Sequence, residues 1–514
     1  MVDKGWEGAF NIMDNLKDKA AKGVVWGTLN NFAIQILNAV FGIVLARILG
    51  REDYGVIGLL YVFSQVATAM QDSGFVIGLT NKKNATHSDY NSVFWFNVGM
   101  SAILYVILFF CAPLISAFYD EPVLTSLSRF YFIAFFIASL SIVPRAILFR
   151  ELKQKELAIM GLISLVMSGS VGIAMAMNDM AYWGIATQQI TFNLCVTILS
   201  WVLSHWRPSF NITFQPVREL FGFSSKMLIT DIIERINNNV FSVLLGRFYN
   251  TDVVGTYNQA NKWTKMGSDT ITGIVNGVAQ PTFVQVGDDK ARLCRTFRKM
   301  LRFTCFISFP AMFGLALITK DFIIVLITDK WLPSARLMQI FCVGSAFLPI
   351  AKLYYSLIIS RGKSNVYMYN VMGQGCTIIA SLICVHYLFA EEVCLNIWSL
   401  HLTIANLELM MISYAVIITL WTLVWHAFLK HEIGISFRDA ARDIVPFLAL
   451  AAMAMILTYI ITMPIANVYL LLISRIIIAA IIYLGSLWLL GAKILRECVG
   501  YVMPRFPFLS RLMR

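Results

Sequence analysis

Residues 44–61 read VLARILGREDYGVIGLLY, and residues 244–261 read LLGRFYNTDVVGTYNQAN. At a constant offset Arg47 falls on Arg247, Gly55 on Gly255, Leu45 on Leu245 and, just upstream, Phe41 on Phe241. The second copy is the more polar. Both copies sit in a chain of 514 residues that is 58% hydrophobic and only 14% charged, with a mean hydropathy of +0.71. Soluble domains carry roughly 25% charged residues, so this is a membrane composition.

Apolar stretches of about 20 residues or more follow one another from Gly23 to Gly491, long enough to cross a bilayer as helices. In lipid every backbone polar group must be satisfied within the segment, which excludes open sheet. The expected fold is an all-α integral membrane protein of about fourteen spans. They lie near 24–48, 53–77, 91–118, 122–144, 156–178, 180–204, 217–247, 252–283, 297–327, 334–359, 366–389, 397–428, 440–462 and 467–491. No gap between spans is long enough for a separate soluble domain. Residues 1–23 are polar and mixed in charge, without the apolar core or cleavage site of a signal peptide, and read as a retained cytoplasmic tail.

The net charge is +12. With the N-terminus in the cytoplasm and alternating spans, the cytoplasmic segments hold about 27 Lys and Arg and the outer loops about 6, a strong positive-inside bias. Lys82, Lys83, Arg150, Lys153, Lys155 and the run from Lys290 to Lys299 all fall inside, as does the basic tail at 492–514. Basic tails of this kind are lipid-surface anchors, and no nucleic-acid role is expected. The nine cysteines are scattered without a CxxC, and the six histidines show no metal-ligand spacing, so neither metal nor cofactor is expected.

The two copies begin in spans 1 and 7. Six helices separate them, so both cross the membrane in the same direction, as a parallel repeat. Arg47 and Arg247 end their helices, where an arginine snorkels to headgroups and complements the helix C-terminus. In span 1 Asn31, Gln35, Asn38 and Gly42 recur every three or four positions, which is one helical face. The equivalent positions of span 7 are Asp231, Arg235, Asn238 and Ser242. Span 2 carries Tyr61, Gln65, Thr68 and Asp72 on one stripe, and span 8 carries Asn258, Lys262, Lys265 and Asp269.

Charge at the bilayer centre costs about 3 kcal/mol even on lenient scales, so these faces belong in a bundle interior or a water-filled cavity. Two readings follow. The pairs Asp231–Arg235 and Lys265–Asp269, each at i, i+4, offset one another and glue helices together. Alternatively the stripes line a polar cavity whose second half is cationic. Four aligned stripes exceed what packing needs, and Lys262 and Lys265 outnumber Asp269, which leaves a cation for an anionic group. Among other charges, Lys226 and Lys352 lie toward span ends and read as snorkelling. Glu234 and Glu408 are candidate coupling acids, with Glu408 expected near the middle of span 12, either protonatable or neutral and hydrogen-bonded.

The stretch LARILGREDYG, led by KDKAAKGVVWGTLNNF, resembles the polysaccharide transporter family, the O-antigen-type lipid-linked oligosaccharide flippases of the multidrug/oligosaccharidyl-lipid/polysaccharide exporter superfamily. The resemblance is strongest over 17–85 and continues through the second copy. Arg51 departs from it, since family members often carry proline there. The resemblance implies two six-helix lobes, 24–204 and 205–428, around a central cavity, with two more helices in 440–491, and alternating access. It implies a polyprenyl-diphosphate-linked oligosaccharide as substrate, used for surface polysaccharides such as lipopolysaccharide O-antigen and moved across a bacterial cytoplasmic (inner) membrane with both chain termini inside. Partners would be membrane lipids and the polysaccharide polymerase machinery. Lys262, Lys265 and Arg235 are the cations that could meet the diphosphate. Asn31, Gln35, Asn38, Asn238, Asn258 and Gln259 could bond the sugars, and spans 13 and 14 would flank a lipid-facing groove.

Two other classes are open to such a chain. A cation-coupled multidrug antiporter of the same fold would prefer an acidic cavity, whereas cations slightly lead in spans 7 and 8. A membrane polysaccharide polymerase or ligase needs a reactive constellation, usually in a large outer loop, and the outer loops here are short with no nucleophile motif.

Overall fold

The computed structural model describes residues 33–72, 86–210, 215–287, 289–389, 393–397 and 400–502. They are helical almost throughout. The helices are α1 (Ala33–Ile48), α2 (Arg51–Asp72), α3 (His87–Tyr119), α4 (Val123–Arg150), α5 (Gln154–Met177), α6 (Ala181–Ser204), α7 (Gln215–Phe248) and α8 (Thr251–Val286). They continue with α9 (Lys290–Ile327), α10 (Pro333–Ser360), α11 (Ser364–Leu388), α12 (Asn406–Ile433), α13 (Phe437–Thr462), α14 (Val468–Leu489) and α15 (Lys493–Val502). Ten of the described helices are long and apolar enough to cross a membrane. The helices outside those ten include α1, α2, α7 and α8, the four that carry the polar stripes.

Local chemistry sets several helix ends. Thr86 and Asp89 form a reciprocal capping box at the start of α3. Asp289 and Ser436 cap α9 and α13 through side-chain acceptors. Gly434 ends α12 in the left-handed conformation, φ +70°. α4 is broken after Tyr131 and Ser139, and α10 after Ser345.

One expectation is corrected at span 12. The apolar run before Asn406 is not helical: Val393–Ile397 (β1) and Leu400–Ile404 (β2) form an antiparallel hairpin, with Val393 opposite Ile404 and Ile397 opposite Leu400. A short apolar run is compatible with either state, and periodicity alone does not separate them. Asn406 then anchors α12 by donating to the carbonyls of His386 and Phe389 at the end of α11.

The chain divides into two compact units, Met1–Gly255 and Thr256–Arg514. In the first, small residues admit close helix contact, as is usual where lipid supplies no driving force for association. A Cβ on Gly169 of α5 would fall 2.5 Å from the Phe41 ring of α1, and one on Gly246 of α7 would fall 2.2 Å from Leu59 of α2. In the second unit, α9 is the central post. Arg298 holds Asp443 at 2.7 Å and Asp439 at 3.2 Å on α13, and Lys299 holds Glu497 of α15 at 2.6 Å. That lysine keeps the Glu497 carboxyl below its ordinary range. Farther along, Arg475 of α14 meets Asp321 of α9 at 2.5 Å, and both are buried. Arg475 also donates to Thr462 Oγ1 at 3.3 Å and the Leu317 carbonyl at 3.4 Å.

Removing one member of such a pair leaves an uncompensated buried charge, which costs about 3 kcal/mol or more. Asp321→Leu should therefore lower the unfolding temperature of the detergent-purified protein. The double variant Asp321→Leu, Arg475→Leu should recover most of that loss. Equal melting of the single variant and the parent would show that the pair contributes nothing.

Candidate functional site

The first finding explains the repeat. The two copies meet each other inside the first unit. A Cβ on Gly55 would fall 1.9 Å from the Thr251 carbonyl oxygen, and a Cβ on Gly255 would fall 1.8 Å from the Arg51 carbonyl oxygen. Residues 51 and 251 are equivalent in the repeat, as are 55 and 255, so the contact is reciprocal. Each copy places its glycine against the first turn of the other copy's helix. Arg51 Nε holds Asp252 Oδ1 at 2.9 Å across the same junction. The pair is partly exposed and adds little by itself. Only hydrogen fits at the two glycine positions.

On the stripe of the first unit, the i, i+4 pair expected from sequence is formed. Arg235 Nε donates to Asp231 Oδ2 at 3.2 Å. Its Nη1 also donates to Gln65 Oε1 of α2 at 2.6 Å, which the periodicity did not announce. Gln65, Asp231 and Arg235 are thus brought together, all half-buried. Gln35 on α1 is half-buried, Glu234 is half-buried, and Asn38 and Asn238 are exposed. Asn31 lies outside the described residues, as does the side chain of Asp72.

On α8 the stripe divides differently. Asn258, Lys262 and Lys265 are half-buried and Asp269 is exposed. The expected Lys265–Asp269 pair is not closed: among the described residues Lys265 has no ion pair within 4.0 Å and no hydrogen bond. Lys262 Nζ lies 5.7 Å from the ring centroid of Trp263. Lys352 of α10, read from sequence as a snorkelling end residue, is instead an electrostatic neighbour of Asp269 alongside Lys265. Gln259, one position off the stripe, is fully buried, and neither amide atom has a partner among the described residues. Glu408 is relocated. Because α12 begins at Asn406, Glu408 stands in its first turn, not in mid-span, and takes Arg336 Nε at 2.8 Å.

The second unit also carries an apolar groove of about 390 Å³. Phe313 and Leu317 of α9, Val343 of α10, and Met455, Ile456 and Tyr459 of α13 line it. α13 was expected to flank such a groove; no α14 residue lines it, and α9 supplies the other wall. The Arg475 guanidinium stands 5.5 Å over the Tyr459 ring.

Ten apolar helices of spanning length, beside polar and partly charged ones, define a multi-pass integral membrane protein. The fold matches the lipid II flippase MurJ in an inward closed conformation, with a TM-score of 0.69 at 14% identity, covering 92% of this chain and all of that one. It also matches an inward-facing multidrug MATE transporter of the MOP superfamily, with a TM-score of 0.58 at 13% identity over 78% of this chain and 94% of that one. Residues 44–336, more than half the chain, match the model of the polysaccharide biosynthesis protein family, and the chain belongs to that family. Its relatives include the teichuronic acid biosynthesis protein TuaB of Bacillus subtilis (strain 168), 24% identical over 70% of this chain and 74% of that one. The lipopolysaccharide biosynthesis protein WzxC of Escherichia coli (strain K12) is 24% identical over 70% and 73%. The succinoglycan biosynthesis transport protein ExoT of Rhizobium meliloti (strain 1021) is 21% identical over 67% and 70%.

The glycine junction makes a direct prediction. Gly255→Val forces the first turns of α2 and α8 apart and should lower thermal stability by about 1–3 kcal/mol, the usual range for overpacking. Arg51→Ala should change it by less than about 1 kcal/mol. Unaltered melting of the Gly255 variant would show that the two turns separate freely.

Proposed function

We propose that this protein is a flippase that moves a polyprenyl-diphosphate-linked oligosaccharide from the inner to the outer leaflet of a bacterial cytoplasmic membrane by alternating access. The product feeds surface polysaccharide assembly on the outer face, where a polymerase consumes it. The N-terminus and the basic segments face the cytoplasm, in keeping with the positive-inside bias. The repeat organises two six-helix lobes, 24–204 and 205–428.

The observation that carries this reading is the state of α8. Lys262 and Lys265 stand on a polar face in the middle of a helix, and Lys265, although Asp269 is its electrostatic neighbour, closes no ion pair within 4.0 Å among the described residues. An ammonium in that position suits a diphosphate, whose charge needs an offset during its passage. Within the first unit, Arg235 is a further cation, held by Asp231 and Gln65. In the first unit the amide side chains of Gln35, Asn38 and Asn238, and in the second that of Asn258, bond sugar hydroxyls. The apolar groove between α9 and α13 accommodates the lipid tail. Family membership and the relatives' roles in polysaccharide biosynthesis and transport support the same substrate class. A cation-coupled drug antiporter would favour an acidic stripe, whereas on α8 Lys262 and Lys265 outnumber Asp269, and Asp231 is engaged by Arg235.

The double variant Lys262→Gln, Lys265→Gln keeps length and polarity and removes both charges. It should accumulate in the membrane as the parent does, fail to export the oligosaccharide, and leave the lipid-linked precursor in the inner leaflet. Arginine at either position should retain partial export, because guanidinium also pairs with phosphate, with different geometry. Full export by a stably inserted double Gln variant would remove these lysines from the mechanism.

A further inference from the structure

Among the ten spanning helices the two most buried, α4 in the first unit and α10 in the second, are also the two that are interrupted. They are equivalent helices, six apart in the repeat. In each, a pair of residues stands between two helical pieces. Leu140 has φ −68°, ψ −19° and Ser141 has φ −94°, ψ −14°. Ala346 has φ −60°, ψ −23° and Phe347 has φ −90°, ψ −12°. Both pairs have the shape of a type I turn. A proline follows each, Pro144 and Pro349. Proline has no N–H, so the carbonyl four residues before it loses its helical donor. Those carbonyls belong to Leu140 and Ser345.

Inside a membrane bundle such a carbonyl needs another donor. Side chains of neighbouring helices supply it. Trp201 Nε1 of α6 donates to the Leu140 carbonyl at 2.7 Å. It is the last rung of a ladder with a step of four residues, in which Asn193 donates to the Ala134 carbonyl at 3.0 Å and Thr197 to the Ile137 carbonyl at 3.1 Å. In the second unit Ser308 Oγ of α9 donates to the Ala346 carbonyl at 2.7 Å, with both residues fully buried. Ser268 Oγ of α8 reaches the Ser345 carbonyl at 3.5 Å.

Prolines elsewhere behave differently. α3 and α9 continue through Pro113 and Pro310. The carbonyls freed there, on Phe109 and Phe306, take Arg129 Nε at 3.3 Å and Tyr483 Oη at 3.0 Å. A proline alone therefore does not interrupt a helix in this bundle. At α4 and α10 the backbone bonds also shorten their reach. Leu140 N donates to the Ile137 carbonyl, Ser141 N to that of Ala138 and Phe347 N to that of Gly344, each three residues back. Across each break, side-chain bonds replace part of the backbone ladder, and they can be released without unwinding either half of the helix.

We propose that residues 140–144 of α4 and 345–349 of α10 are a matched pair of hinges, one in each unit, and that Trp201 and Ser308 are positioning residues that latch them. The proposal does not rest on the flippase reading, because its readout is local opening of the backbone.

The test is hydrogen–deuterium exchange of the full chain in lipid nanodiscs. In the parent, amides across the two breaks should exchange faster than those in the middle of the uninterrupted α5 and α11, since a hinge opens at low local stability. Trp201→Phe keeps an aromatic ring and removes the N–H. It should speed exchange across the α4 break about five-fold, the loss of one hydrogen bond, and leave the α10 break unchanged. Ser308→Ala should do the reverse. Pro144→Ala restores an N–H four residues after Leu140, so in the Trp201→Phe background it should return exchange at the α4 break toward the parent value; a Trp201 that served only as packing would not be rescued this way. If Trp201→Phe does not fold, Ser308→Ala decides. Breaks that exchange no faster than α5 and α11 in the parent, latch variants that act on both breaks alike or on neither, or no rescue by Pro144→Ala would overturn the proposal.

Discussion

Hydrocarbon supplies neither counter-ion nor hydrogen-bond partner, and this constraint governs the buried and half-buried charges of the described helices. Asp321 and Arg475 answer it by closing a buried ion pair between α9 and α14, backed by Thr462 and the Leu317 carbonyl. Arg235 answers it with a local acid, Asp231, and a distant amide, Gln65. Glu408 answers it at a helix start with Arg336. The polar α7 and α8 do not qualify as spans on composition. Their placement depends on neighbours that cover or compensate them.

The same constraint separates charges that have closed an ion pair from those that have not. A charge that has found its partner fixes two helices at a set distance and has little further to offer. Lys265, whose sequence neighbour Asp269 stands off beyond ion-pair distance, is in a different condition. Its unit also holds an apolar groove.

The reciprocal glycine junction shows why the repeated stretch conserves its spacing within one chain. When two copies meet about a local twofold relation, each copy is at once the surface that approaches and the surface approached. A glycine in one copy is then useful only if the other copy presents a backbone at the matching place. Gly55 against residue 251 and Gly255 against residue 51 satisfy that demand together. Arg51 adds a salt bridge to Asp252 across the same junction.

Composition and periodicity by themselves determined the membrane class, the helical character of most apolar runs, the repeat, the polar faces and the Asp231–Arg235 pair. All of these depend on one segment at a time, through apolar length or the 3.6-residue turn. What only the tertiary structure decided was which segments face each other. Gln65 is 170 positions from Arg235, and Asp321 is 154 from Arg475. No local pattern links residues so far apart. Lys352 beside Asp269 was hidden for the same reason, since α8 and α10 meet only in the packed bundle. The hairpin before α12 was hidden for another. A short apolar run bonds equally well as a helix or as a ladder, and the choice, with the position of Glu408, falls to whatever the neighbouring chain offers.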